Sequence, residues 1–176
     1  MSSGLEDEMT GGPEFSWCDD ASSVDDLARF FADNITSSYI SHSELQFGRA
    51  DAVGRWSPRL AQILRSEIGE RVGVAAMPDR KVAAAYVEGK LAGIAFVAFT
   101  EDVPHPFVVV EDIAIARHLR GHGIGQGFLD WIFARAKGRG IRRAYLESGK
   151  DNHDAHHFFE RNRFEQVSIV MMAEIA

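Results

Sequence analysis

Apolar residues recur along the chain with two periods, and each period marks an element. Leu27, Phe30, Phe31 and Ile35 fall on one helical face, behind Ser22 and Ser23 as caps and Asp25 and Asp26 in a first turn whose dipole favours acids. Leu60, Ile63, Leu64 and Ile68 repeat the pattern after Ser57-Pro58, a cap followed by a helix-opening proline. From residue 81 the pattern turns β-rich. Lys81 to Val87 and Leu91 to Phe99 predict two strands of a hairpin about Glu88-Gly89-Lys90. Phe107 to Ala116 is apolar enough for a central strand, and Glu14 to Cys18 suits a short first one. A helix is predicted over Phe128 to Lys137, a strand over Ala144 to Ser148, a helix over Asn152 to Asn162, and a last strand over Gln166 to Glu174. Ser37 to Gly54 has no clear period and reads as a helix end plus an irregular loop. This order predicts an α+β domain with a mixed sheet.

Composition narrows the class. The 176 residues suffice for one core, and the expected organisation is a disordered acidic tail over residues 1–12 followed by a single domain over 13–176. No apolar run is long enough to span a membrane, and no secretory signal pattern opens the chain. Cys18 is the only cysteine, which excludes an intrachain disulfide and fits a cytoplasmic protein. The net charge is −7, but residues 1–26 hold eight acids and no Lys or Arg. Residues 115–145 hold seven bases and one acid, a net of +6. The acidic total therefore does not argue against an anionic ligand. Nucleic acid is a poor partner, because the rest of the chain is acidic.

Within the basic segment, Arg120-Gly121-His122-Gly123-Ile124-Gly125 joins a strand to a helix. Glycines allow close approach and positive φ, so that successive N–H groups can converge, and the helix start adds its own free donors. Such a turn suits a phosphate or pyrophosphate. The alternative is a plain turn with glycines for packing. The spacing matches neither a P-loop nor the dinucleotide-binding fingerprint.

The hexapeptide fits [QR]-x-x-G-x-[GA] and resembles the acyl-CoA loop of the GNAT superfamily of N-acetyltransferases. Val110-Glu111-Asp112-Ile113-Ala114-Ile115 is similar to the strand before that loop in polyamine N-acetyltransferases, and Asn152-x-x-Ala155-x-x-Phe158-Phe159-Glu160 to the family's Asn helix. The resemblance implies a mostly antiparallel mixed sheet splayed between its fourth and fifth strands and flanked by about four helices. It implies acetyl-CoA as co-substrate, with direct transfer of the acetyl group to a primary amine of a small molecule or peptide. Ile113, Ala114 and Ile115 would line the pantetheine arm, with a backbone N–H at the acetyl oxygen. The amides of Arg120, Gly121, His122, Gly123, Ile124 and Gly125 would take the pyrophosphate, and Asn152 would bond the arm near the thioester. Glu111, with Asp112 second, is the candidate base; an ideal strand would point the two to opposite faces, so that both face the cleft only where the strand bulges.

One departure stands out. Where the family carries a tyrosine that protonates the leaving thiolate, this chain has Phe159. Ser148, Tyr145 and His156 are the other candidate donors, and a non-catalytic acyl-CoA-binding domain is the rival reading. Ser41, Glu44 and Arg49 lie in the region that should face the acceptor. His153-Asp154-Ala155-His156-His157 has metal-ligand spacing but no third ligand, so no metal is expected. Trp17, Tyr39 and Trp56 read as packing residues. The apolar last strand could pair in a homodimer.

Overall fold

The computed structural model describes residues 11–73 and 76–175. The tail expected over residues 1–12 lies outside them, apart from Gly11 and Gly12. The chain runs β1 (Glu14–Trp17), α1 (Val24–Asn34), α2 (His42–Gln46), β2 (Ala50–Ala52), β3 (Arg55–Trp56), α3 (Leu60–Gly69), β4 (Arg80–Val87), β5 (Lys90–Thr100), β6 (Phe107–Ile115), α4 (Ile124–Gly138), β7 (Arg143–Leu146) and α5 (His153–Arg161). Five strands form the main sheet in the order β1-β4-β5-β6-β7. All pairs are antiparallel except β6 and β7, which are parallel. The fold is α+β, as the order of elements implies.

Each face of the sheet has its own core. Leu27 and Phe31 of α1 and Leu64 and Ile68 of α3 pack on Val82, Ile94 and Phe96. Phe128, Leu129 and Ile132 of α4 and Phe159 of α5 pack on Ala83, Val97, Val108 and Val110. The β4–β5 turn is the two residues Glu88 and Gly89, with φ of 50° and 74°. Positive φ at both positions gives the turn whose twist matches the strands it joins.

Three expectations change. Residues 37–54, read as a helix end plus an irregular loop, contain a 3-10 turn, α2 and β2, which pairs with β3 just beyond them; each is too short to leave a period in sequence. Helix α4 begins at Ile124, inside the stretch read as turn. The last strand over Gln166 to Glu174 is not formed. Among the described residues this segment has no strand partner, and Val167, Ile169, Val170, Met171 and Met172 are exposed. A strand is completed by the hydrogen bonds of a neighbour, so β-propensity alone does not make one. Among the described residues no helix is long and apolar enough to cross a membrane.

Candidate active site

A β-bulge builds the centre of the site. Phe96 pairs with Asp112 and Val97 with Val110, which leaves Glu111 as the extra residue on β6. Bulges re-aim the side chains around them. Before the bulge, Val108 and Val110 face α4 and α5; after it, Asp112 and Ala114 face α1 and α3. The acids expected on opposite faces therefore turn the same way. Asp112 bonds Arg49 Nη1 through both oxygens, at 3.0 Å each, and Glu111 pairs with Arg71 and with Arg80 at 2.8 Å. Both Arg49 and Arg71 lie over the Phe96 ring, at 5.4 and 5.1 Å. Burial pushes the Asp112 carboxyl up to about 6 against the pull of Arg49, with Glu44 adding to the rise. Arg49 stays charged: burial opposes its charge, but Asp112 and Glu67 outweigh it.

The β6–β7 ladder stops at Val110 and Leu146. Beyond that point β6 has an open edge. Successive residues of a strand direct their peptide groups to alternate sides. Ala116 N–H donates to Ala92 on β5, while Ile113 N–H donates to Tyr39 Oη at 3.2 Å on the open side. Ile113 and Ile115 thus present their peptide groups to the opening. The edge leads to a cleft of about 670 Å³ between β6, the glycine turn, the end of β7 and α5. Gly121 and Gly123 line it with φ of 83° and 80°. The first intrahelical bond of α4 runs from Gly127 N to Gly123 O, so Ile124, Gly125 and Gln126 precede any helical acceptor. This is a cradle for an anion. Across the cleft, the Ser148 hydroxyl is buried with no hydrogen-bond partner among the described residues, whereas buried hydroxyls ordinarily have one.

Residues 49–164 match the acetyltransferase (GNAT) family. The chain belongs to that family. The GNAT class is that of acyl-CoA-dependent N-acetyltransferases, which use acetyl-CoA to acetylate amines. Among solved structures, the chain resembles a transcriptional regulator from Bacillus halodurans C-125 at 18% identity and TM-score 0.66, covering 93% of this chain and 100% of that one. A ribosomal-protein-alanine N-acetyltransferase from Brucella melitensis biovar Abortus 2308 is similar at 12% identity and TM-score 0.65, with 93% and 100% covered. An aminoglycoside acetyltransferase from an uncultured soil metagenomic sample is similar at 14% and TM-score 0.63, with 96% and 100% covered. At these identities the likeness is one of fold. No curated protein matches the chain.

The remaining candidate residues of this GNAT domain divide between cleft and scaffold. Asn152, at the N-cap of α5, lines the cleft with Phe159, whose ring packs among Phe158 and Phe164. Gly125 lines it too, and an added Cβ there would lie 3.2 Å from the Phe158 ring, so the packing reading holds at this one glycine. Ile124 is buried, and the His122 ring turns back to the carbonyls of Leu119 and Arg120. Arg120 reaches the carbonyls of Ile115 and Asn34, and Arg117 that of Ile35, so both brace the end of α1. The basic segment does not surround the glycine turn. Arg135 to Arg139 lie at the other end of α4, about 20 Å away at 1.5 Å per residue.

On the acceptor side, Glu44 and Arg49 are buried and pair with each other at 3.6 Å, Arg49 also holding Glu67 and Asp112. Ser41 caps α2 with Glu44 and bonds Glu147. Of the three alternative donors only Ser148 lines the cleft; Tyr145 is on the outer side against Phe107, and His156 Nε2 pairs with Gly149 O. Tyr39 packs against the α1–α3 core, as read, and also lines the cleft at the bulge. Its only sequence signal is a tyrosine in a segment without period, and the contact that matters spans 73 residues.

Proposed function

We propose that the chain transfers the acetyl group of acetyl-CoA directly to a primary amine of a small molecule or peptide. The observation that carries this reading is the continuity of donors from the open edge of β6 to the start of α4. The peptide groups of Ile113 and Ile115 would hold the pantetheine arm and the acetyl carbonyl. The amides of Gly121 to Gly125 would hold the pyrophosphate. Ser148 and Asn152 face the arm from the other wall.

An amine that arrives protonated must lose a proton before it attacks. Glu111 is the better base of the two acids. Both acids are paired, Glu111 with Arg71 and Arg80 and Asp112 with Arg49 and Tyr39, but the Glu111 side chain is a quarter exposed and can meet an amine, whereas that of Asp112 is 2% exposed. The amine nitrogen attacks the carbonyl carbon, and the oxyanion gathers at a backbone N–H of the open edge. Phe159 offers no proton, so the thiolate leaves on its own, as a thiol of pKa near ~8.5 can.

Titration calorimetry of the full chain with acetyl-CoA, followed by thioester cleavage against a panel of amines, tests the reading. Because similar folds acetylate aminoglycosides and a ribosomal protein, the panel holds aminoglycosides, polyamines and peptide N-termini. Micromolar binding and turnover on one class is the expected result. No binding at millimolar acetyl-CoA refutes it, and binding without turnover on any amine favours a non-catalytic acyl-CoA-binding domain.

A further inference from the structure

Phe159 leaves α5 without a hydroxyl, and two other hydroxyls line the cleft, those of Tyr39 and Ser148. Tyr39 closes the 3-10 turn Ser37–Tyr39. Its ring is fixed edge-on to Phe31 at 5.6 Å and beside Trp56 at 6.4 Å. Its hydroxyl sits on the bulge, donating to Asp112 Oδ1 at 2.9 Å and accepting from Ile113 N at 3.2 Å. The phenol therefore occupies the N–H that faces the open edge at the reacting end of the cleft.

We propose that Tyr39 is a second hydrogen-bond donor to the acyl oxygen, forming with Ile113 N–H a two-donor site for the oxyanion. The inference rests on the acetyl-transfer reading above. The two donor atoms are 3.2 Å apart, so one oxygen can lie within about 3 Å of both. Without ligand the phenol proton rests on Asp112. When the acyl oxygen takes the Ile113 N–H, rotation about the phenol C–O bond turns the proton to that oxygen, and Asp112 keeps its two bonds from Arg49. Burial, with the Asp112 carboxylate alongside, holds the phenol well above its ordinary value, so it stays protonated. In the reaction the amine lone pair forms the C–N bond and the carbonyl π pair moves onto oxygen between the donors. That pair then returns, the C–S bond breaks with its electrons on sulfur, and the proton shed by nitrogen reaches the thiolate through the base and solvent. Tyr39 gives up no proton.

Tyr39→Phe keeps the ring and removes one oxygen. The probe is acetyl-CoA carrying 13C at the carbonyl, bound to the full chain and read by difference infrared spectroscopy. The carbonyl band is expected at lower frequency in the wild type than in the variant, because a second donor polarises the bond further. Turnover with the best amine of the panel is expected to fall roughly 100-fold, with less than about a threefold change in KM for acetyl-CoA. If Tyr39→Phe does not fold, 3-fluorotyrosine at position 39, a stronger donor, should lower the band instead. An unmoved band with kcat within about twofold in the phenylalanine variant, or an unmoved band with the fluorinated residue, overturns the role of Tyr39 alone. A wild type that binds no acetyl-CoA overturns the acetyl-transfer reading and this inference together.

Discussion

Replacing Gly149 with alanine tests how the loop after β7 holds the segment that carries Tyr39. Gly149 lies directly on residues 38–40. A Cβ built there would stand 2.7 Å from Ile40 O, 3.0 Å from Tyr39 C and closer still to Ser38 O. All three are backbone atoms, so no flexible side chain can swing aside. Ordinary contact between such atoms needs about 3.5 Å, which asks the two segments to part by about 1 Å. Overpacking of this kind costs about 1–3 kcal/mol, and at this chain length each kcal/mol lowers Tm by roughly 2–4 °C. The displacement would also reach the hydroxyl on Ile113 N–H, and a misplacement of about 1 Å near the chemistry costs on the order of 100-fold in rate. Differential scanning calorimetry and acetyl-CoA turnover measure the two effects. A Gly149→Ala protein with unchanged Tm and unchanged turnover would refute the reasoning, because the contact would then yield without consequence.

Three further outcomes are expected. Glu111→Gln should lower kcat by 10²-fold or more while acetyl-CoA affinity by calorimetry stays near wild type; an unchanged rate moves the base to Asp112 or to water. Asp112 binds its proton more tightly in the fold than its ordinary value of 3.8, facing Tyr39, Arg49 and Glu44. The folded state therefore holds more protons between about pH 4 and 6, and this group's contribution to stability falls as pH rises through that window, by at most about 3 kcal/mol, then stays flat. Urea midpoints of wild type and Asp112→Asn across pH 4–7 should differ by that slope, and parallel curves would contradict it. Gly123→Ala forces a methyl group onto a φ of 80° at the N-cap of α4; about 1–2 kcal/mol of strain should weaken acetyl-CoA binding by roughly tenfold, and equal affinity would place the phosphates elsewhere.

The parts of the domain legible in sequence are those whose physics is local. The β4–β5 turn needs positive φ at adjacent positions, and the turn before α4 needs glycine where the backbone is left-handed; each leaves a mark in a few neighbouring residues. The carboxylate pair was legible as residues but not as geometry. Alternation along an ideal strand separates Glu111 from Asp112, and only pairing with β5 reveals the extra residue that reunites them. Arg49, placed by position near the acceptor, is held inside by Glu67 and Asp112, 18 and 63 residues away, and Glu44 is held there beside it. The contact of Tyr39 with the bulge is hidden in sequence for the same reason. The segment over Gln166 to Glu174 shows the converse: its composition favours a strand, but a strand needs a neighbour that no local pattern supplies.

The bulge at Glu111 also decides which change in the length of β6 the two cores can bear. The strand serves the α4–α5 core through Val108 and Val110 and the α1–α3 core through Asp112 and Ala114. Val110 and Asp112 already face opposite sides, so loss of Glu111 alone would restore plain alternation with every other side chain on its own face, and would remove only the acid held by Arg71 and Arg80. Loss of Val109 instead would make Val108 and Val110 neighbours, and one of the two would have to leave the helices it covers. A single-codon deletion at the bulge would thus cost the site an acid and spare both cores, whereas one two codons earlier would cost a core.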